Sequence, residues 1–143
     1  MFEQSFDGLS VELRDDSVGV ILFNRPEKLN ALTAQTLGVL TRAFRALGER
    51  DDCGAIVISG AGPAFCAGMD LSGGGLATEG LDPVQLVYSA MHDAVDCVLA
   101  MRDIAQPVIA AVKGPAVGGG FGIATAADVR ICSPDAAFMA PFV

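Results

Sequence analysis

The chain has 143 residues, of which 52% are hydrophobic, and a formal net charge of −8 at pH 7. This size suits one domain with a sizeable core, and an acidic balance without a basic stripe argues against nucleic-acid binding. The chain has no run of about 18 apolar residues free of Gly and Pro, so no membrane span is predicted. Scattered thiols with a single imidazole predict a reduced, cytoplasmic protein without a metal site (Cys53, Cys66, Cys97, Cys132 and His92).

Two strands and a helix are predicted in the first third of the chain. Residues 9–14 alternate like a half-buried strand, and residues 18–26 form the next strand up to Pro26, which cannot donate to a ladder. Thr33 is a good N-cap for a helix that runs to about Arg50. Its predicted buried face consists of positions at helical spacing: Leu37, Leu40, Thr41, Phe44 and Leu47.

A long loop separates the next predicted strand from the next helix. The apolar run at 55–59 lies between glycines and predicts a buried strand. Residues 60–82 are long for a loop in a compact domain, and loops of this length are usually functional or mobile. A second helix begins at Asp82-Pro83, with proline at its first position, and runs to about Met101.

Three consecutive glycines follow the next buried strand, which is predicted at 107–112. The triplet at 118–120 leads into a short helix of small residues at 120–127. Residues 129–133 and 136–140 are predicted as further strands. Because helices alternate with buried strands, we expect an α/β domain with parallel pairing.

Familiar glycine motifs do not fit the triplet. The dinucleotide fingerprint G-x-G-x-x-G fails, because the sixth position from Gly118 is Ile123, and the chain has neither a Walker loop nor a G-x-S-x-G elbow. His92 lies in the middle of the second predicted helix without a neighbouring nucleophile, so we interpret it as a solvated helix residue.

Two loops rich in glycine and alanine favour chemistry carried by the backbone. Segments 64–71 and 116–122 each follow a buried strand, and the second leads into a helix. A helix N-terminus offers unpaired N–H groups and a positive dipole end. If the loops converge, each can give one N–H to a single oxygen, as an oxyanion hole does for an enolate. Alternatively, the glycines only permit tight turns between strand and helix.

Three segments, taken together, resemble the crotonase superfamily, also called the enoyl-CoA hydratase/isomerase family. They are NRPEKLNAL at 24–32, GPAFCAGMDL at 62–71 and PVIAAVKGPAVGGGFGIATAADVRICS at 107–133. The resemblance implies a spiral of ββα repeats, usually assembled as trimers or as hexamers of two trimers. It also implies an acyl-CoA substrate, with coenzyme A as part of the thioester and no permanently bound cofactor.

The resemblance also assigns roles to individual residues. The backbone N–H groups of Met69 and Gly119 would hold the thioester oxygen. The segment from Ala67 to Leu71 would wrap the adenine end of coenzyme A, and Lys28 lies where family members contact the CoA moiety. The implied CoA-binding residues are therefore Lys28, Ala67, Gly68, Asp70 and Leu71.

The two glutamates with which the family's hydratases activate water are missing. The corresponding positions hold Gly122 and, counted without gaps, Phe142. The segment 136–143 resembles the isomerase branch instead, in which one Asp or Glu further along the chain moves a proton between C2 and C4. We therefore expect isomerisation of an enoyl thioester rather than hydration.

The other acids near these motifs are interpreted as structural or solvated. We expect Asp128 to fix a loop by hydrogen bonds and Asp70 to orient the backbone of its loop. Glu79 and Asp82 are expected to be solvated acids in the long loop.

The apolar ending at Val143 leads us to expect an incomplete CoA-binding core at 1–143, the N-terminal part of a longer protein whose C-terminal helical part is missing. Two alternatives stay open. The chain is a catalytically inactive protein of this fold that binds acyl-CoA or a partner subunit, or it is a structural half-domain whose stability depends on its oligomer.

Overall fold

The computed structural model describes residues 2–6, 8–71 and 82–141. The elements follow in the order β1 (Phe2–Phe6), β2 (Leu9–Leu13), β3 (Val18–Phe23), α1 (Ala34–Gly48), β4 (Ala55–Gly60), α2 (Pro83–Asp103), β5 (Val108–Val112), β6 (Pro115–Val117), α3 (Gly119–Ala126), β7 (Val129–Cys132) and β8 (Ala137–Met139). A short 3-10 helix, Pro26–Lys28, precedes α1.

The main sheet has the strand order β1-β2-β3-β4-β5-β7. Its first three strands are antiparallel, whereas β3, β4, β5 and β7 are parallel neighbours. Each parallel connection contains a helix, as parallel pairing requires. The predicted α/β class with parallel pairing is therefore confirmed.

A second, smaller layer runs beside the main sheet. Strands β6 and β8 pair in parallel, and two isolated parallel bridges, Cys66 with Ala116 and Leu32 with Met69, extend this layer. The chain thus repeats one pattern: a strand of the main sheet, then an extended segment in the second layer, then a helix that leads back to the main sheet. This path is the spiral of ββα units that the resemblance implies.

The core lies where inward-facing residues of β2 to β5 meet α1 and the end of α2. All five predicted positions on the inner face of α1 are buried. Thr33 caps this helix by accepting the Thr36 N–H at 3.0 Å, and Asp82 caps α2 with a reciprocal contact from Gln85. Both predicted helix starts are therefore confirmed.

Several predicted boundaries were wrong. The strand predicted to end at Pro26 ends at Phe23, and Pro26 instead opens the 3-10 helix. The strands β1 and β6 were not predicted. β6 follows the Gly-Pro pair directly and begins with its proline, which a reading from local sequence treats as a break.

None of the helices in the described ranges is long and apolar enough to cross a membrane.

Candidate active site

The two glycine-rich loops lie side by side. Cys66 donates its N–H to the Pro115 carbonyl at 3.1 Å and accepts the Val117 N–H at 2.9 Å. These bonds join the loop after β4 to β6, which leads directly into α3. The structure therefore brings the two glycine-rich loops together, which an oxyanion hole built from both of them requires.

Hydrogen bonds to Leu32 set the direction of the Met69 amide. Leu32 donates to the Gly68 carbonyl at 2.7 Å and accepts the Asp70 N–H at 2.8 Å. In such a parallel bridge the intervening residue turns its own N–H and C=O to the opposite side. The Met69 amide thus faces away from Leu32, on the side where Cys66 bonds to β6.

Gly119 is the first residue of α3 and lies next to that side. A Cβ added at Gly68 would stand 3.6 Å from the Gly119 nitrogen and 2.8 Å from the Val117 oxygen. Gly118, the N-cap, has φ 52°, which favours glycine, and its N–H donates to Met139. Within the described residues, no acceptor is found for the Met69 or the Gly119 amide.

An apolar cavity of about 280 Å³ opens beside the start of α3. Gly119 and Gly122 line it, whereas Met69 is outside its lining. The remaining wall comes from α1, α2 and α3 and from the segment before α1: Leu32, Leu37, Ala94, Val95, Val98, Leu99, Gly118 and Ile123. These lining residues carry no titratable side chain, so the cavity suits an apolar ligand and supplies no proton-transferring group.

The predicted CoA-binding residues lie in two segments joined by a hydrogen bond, and they differ in exposure. The exposed Lys28 lies in the 3-10 helix. Leu29, which follows Lys28 in the chain, accepts the Ala67 N–H at its carbonyl at 2.9 Å. Gly68 is buried, while Leu71 is 92% exposed. The side chain of Asp70 is also buried.

Asp70 pairs with Arg25 rather than facing solvent. The Arg25 guanidinium contacts the Asp70 carboxylate at 3.2 Å and donates to the Ala31 carbonyl at 3.0 Å. Arg25 lies in the segment 24–32 that carries the resemblance, but the sequence alone did not predict a role for it. A charged residue beside a proline is a weak signal for a buried ion pair, and its partner Asp70 lies 45 residues away in the chain.

Asn30 is a second residue that sequence reasoning missed. It is 2% exposed, and its side-chain amide donates to the carbonyls of Ala61 and Ala64 at 2.8 Å each. Its side-chain oxygen accepts the Arg25 N–H at 2.9 Å. Asn30 therefore fastens the turn after β3 to the loop after β4.

The positions of the missing glutamates differ in what the structure says of them. Gly122 lies on α3, one turn after Gly118, and an added Cβ would meet no described atom within 4 Å. Phe142 lies outside the described residues, and so does Glu79.

Three other titratable residues have the environments expected of structural or solvated groups. Asp128 accepts the Val108 N–H at 2.8 Å and a contact from Arg102 at 2.6 Å, and these two interactions lower the pKa of its carboxyl. Asp82 caps α2 and is exposed, and His92 is exposed beside Asp96. The structural interpretations of these three residues are confirmed.

Burial raises the pKa of the thiols of Cys66 and Cys97 to about 12. Both thiols are therefore protonated at neutral pH and unsuited to nucleophilic chemistry. Across the described ranges, no three side chains of metal-ligating type come together.

Comparisons of sequence point to one family. The model of the enoyl-CoA hydratase/isomerase family matches residues 14–143. The Mycobacterium bovis protein named probable enoyl-CoA hydratase echA6 is 40% identical over 126 residues, which are 88% of this chain and 47% of that protein. Probable enoyl-CoA hydratase EchA14 of Mycobacterium tuberculosis is 40% identical over 128 residues, 90% of this chain and 48% of that protein. The chain thus spans about half the length of the curated relatives it matches.

Comparisons of structure agree. An enoyl-CoA hydratase/carnithine racemase from Magnetospirillum magneticum has a TM-score of 0.85 and 27% identity, covering 98% of this chain and 51% of that one. A monofunctional enoyl CoA isomerase from M. smegmatis has a TM-score of 0.75 and 28% identity, covering 94% of this chain and 54% of that one. The α/β spiral expected from the resemblance is therefore confirmed.

Proposed function

Because the chain belongs to the enoyl-CoA hydratase/isomerase family, we propose that it forms the thioester-binding part of an enzyme acting on enoyl-CoA. The observation that carries the proposal is the pair of backbone amides at Met69 and Gly119. Hydrogen bonds turn the first towards the side on which the second lies, and neither has an acceptor among the described residues.

These two amides are proposed to form an oxyanion hole. When a proton leaves the carbon next to a thioester, negative charge develops on the carbonyl oxygen. Two fixed N–H donors stabilise that charge, and the positive end of the α3 dipole adds to the effect. Since both donors are backbone groups, the side chain of Met69 is free to pack against the core.

The surroundings of that oxygen suggest where the acyl chain and the CoA moiety of the substrate bind. The acyl chain enters the apolar cavity lined by Leu37, Val98 and Ile123. The CoA moiety runs along the segment 67–71 towards Lys28. No permanently bound cofactor is needed for this chemistry, because coenzyme A arrives and leaves as part of the thioester.

Isomerisation is the favoured reaction. The described lining of the cavity has no titratable side chain, and Gly122 stands where the family's hydratases carry a glutamate. A double-bond shift needs one carboxylate, because the proton removed at C2 can be returned at C4. We propose that this carboxylate lies outside the described residues, and one similar solved structure is named an enoyl CoA isomerase.

The second candidate is an acyl-CoA-binding protein of this fold without catalysis. The same apolar lining favours it, because binding needs the cavity and the two amides but no acid. The two candidates differ in turnover and share ligand binding.

We further propose a cytoplasmic homotrimer or hexamer. Apolar side chains of β7 and β8 are exposed in the single chain, including Val129, Ile131 and Met139. Exposed apolar surface of this kind is typical of regions that are covered in the assembled protein.

The test is a pair of assays on the full-length protein, one for hydration of crotonyl-CoA and one for isomerisation of a 3-enoyl-CoA. Isomerisation without hydration supports the favoured reaction. Robust hydration would contradict it, and binding without turnover would favour the second candidate.

CoA binding is tested separately with Lys28→Glu. We expect binding of crotonyl-CoA to weaken as salt screens the attraction of Lys28, and Lys28→Glu to lower the affinity further, by roughly 1 kcal/mol or about fivefold. Arg42→Glu is the matched control, because it makes the same charge change at an exposed site on α1. Equal affinities in the two variants would contradict a CoA site at Lys28.

A further inference from the structure

Arg25 contacts both chain segments that set the direction of the Met69 amide. Its guanidinium donates to the Ala31 carbonyl at 3.0 Å and to the Asp70 carboxylate at 3.2 Å. Ala31 directly precedes Leu32, and Asp70 directly follows Met69. The guanidinium therefore spans the two segments immediately beside the Leu32–Met69 bridge.

The turn on the Arg25 side of this bridge is strained. Leu29 and Asn30 have φ angles of 50° and 57°, a conformation that residues other than glycine rarely adopt twice in succession. Such a turn persists only where its surroundings hold it. The backbone of Arg25 also holds this turn in place. Its N–H donates to the Asn30 side chain, and its carbonyl accepts the Asn30 N–H at 2.9 Å.

The ion pair is shielded from water. The side chain of Arg25 is 20% exposed and that of Asp70 is 6% exposed. Charged partners interact more strongly when they are withdrawn from solvent. The planar guanidinium fork can hold two acceptors at once, which a lysine ammonium does less rigidly. By contrast, the ion pair of Arg50 with Asp52 is at the surface, with side chains 37% and 61% exposed.

The carboxylate and the guanidinium act through the backbone. The Asp70 N–H bonds to Leu32, so its residue lies on the Leu32 side of the bridge, whereas the Met69 amide faces the opposite side. Movement of Asp70 would disturb the bridge to Leu32, whose N–H bonds to the Gly68 carbonyl. That carbonyl belongs to the peptide that carries the Met69 N–H, so the amide would turn away from a ligand oxygen.

We infer that Arg25 and Asp70 are positioning residues, which hold the Met69 amide in the direction needed to polarise a thioester carbonyl. The inference rests on the proposed function, since it presupposes a thioester at the Met69 and Gly119 amides. It assigns to the Asp70 side chain a role in orienting the oxyanion hole rather than in contacting coenzyme A.

The experiment uses the full-length protein and crotonyl-CoA labelled with ¹³C at the thioester carbonyl. Difference infrared spectroscopy reports how strongly the bound carbonyl is polarised, as a shift of its stretching band to lower frequency. We expect Asp70→Asn to lose at least half of the shift seen in the unaltered protein. Isomerisation of a 3-enoyl-CoA should fall about 10- to 100-fold, as expected for small misplacements of catalytic groups, while crotonyl-CoA affinity changes less than threefold.

Two further variants separate positioning from loss of folding. Arg25→Lys keeps the charge and removes the fork, and we expect an intermediate carbonyl shift at a circular dichroism spectrum equal to that of the unaltered protein. Asp52→Asn breaks the exposed ion pair with Arg50 and should leave the carbonyl shift unchanged.

The outcomes are distinguishable. If Asp70→Asn and Arg25→Lys keep the full carbonyl shift, the inference is overturned while the proposed function stands. If the unaltered protein binds crotonyl-CoA without any carbonyl shift, or does not bind it, the oxyanion hole itself is refuted and the inference fails with it. Should Asp70→Asn not fold, the carbonyl shift of Arg25→Lys decides between these results.

Discussion

Gly120 and Gly122 lie on the same helix but have very different surroundings. A Cβ at Gly120 would press on the Cys66 carbonyl oxygen and stand 2.7 Å from the Cys66 Cβ and 2.9 Å from its sulfur. A Cβ at Gly122 would meet no described atom within 4 Å. Gly120→Ala therefore forces α3 away from the loop that carries Met69, and Gly122→Ala is its matched control for stability.

The expected change in the free energy of unfolding follows from two opposing contributions. Each substitution gains helix propensity of about 1 kcal/mol, because alanine is the better helix former. Only Gly120→Ala overpacks a contact, which typically costs about 1–3 kcal/mol, and the contact atom is backbone and cannot rotate away. Since the propensity gain cancels between the variants, Gly120→Ala should be less stable than Gly122→Ala by about 1–3 kcal/mol.

Denaturant unfolding of the two variants measures this difference, and isomerisation of a 3-enoyl-CoA by Gly120→Ala measures its consequence. Loss of one oxyanion donor costs about 3 kcal/mol of transition-state stabilisation, so we expect turnover to fall by at least tenfold as the donors separate. Equal stabilities, or full turnover in Gly120→Ala, would refute the close approach of α3 to the Cys66 segment as the feature that holds the donors together.

Three other measurements check separate parts of the structure. Asn30→Ala should destabilise the fold by about 3 kcal/mol in urea unfolding, because it leaves buried carbonyls without a donor, and a loss below about 0.5 kcal/mol would contradict this. The lowered pKa of Asp128 stabilises the fold above about pH 4 and is lost as pH falls through the folded-state value, so the stability deficit of Asp128→Asn should shrink in acid; a constant deficit would argue against it. Iodoacetamide at pH 8 should label the exposed Cys132 of the folded chain before Cys66 and Cys97, whose pKa is about 12, whereas equal rates would contradict their burial.

Local sequence predicted the helices well because their signals are local. Thr33 and Asp82 each cap a helix through hydrogen bonds to residues within three positions. The inner face of α1 follows from the spacing of Leu37, Phe44 and Leu47, and all three are buried. Such signals require no knowledge of the distant chain.

Elements that depend on distant partners could not be predicted in the same way. Strand β6 has three residues and begins with proline, and it exists because Cys66 and β8 pair with it. The antiparallel partner of β2, strand β1, likewise has no strong alternating pattern of its own. Pairing, rather than propensity, makes these segments extended.

The candidate site shows the same division. Glycine-rich loops after two buried strands favoured chemistry carried by the backbone, and the resemblance assigned it to Met69 and Gly119, an assignment that stays a prediction. The ion pair of Arg25 with Asp70 joins residues 45 positions apart, and no rule of sequence spacing predicts such a pair. The role of Phe142 stays a prediction, because that residue lies outside the described ranges.

The proposed function requires the amides of Met69 and Gly119 to share one thioester oxygen. The most direct measurement is an NMR titration of the full-length protein, labelled with ¹⁵N in methionine and glycine, with an acyl-CoA. We expect the amide protons of Met69 and Gly119 to move downfield together with one affinity, while that of Gly122, already bonded to the Gly118 carbonyl at 2.9 Å, moves little. Saturation of the protein without a downfield shift at either amide, or with a shift at only one of them, would contradict the claim.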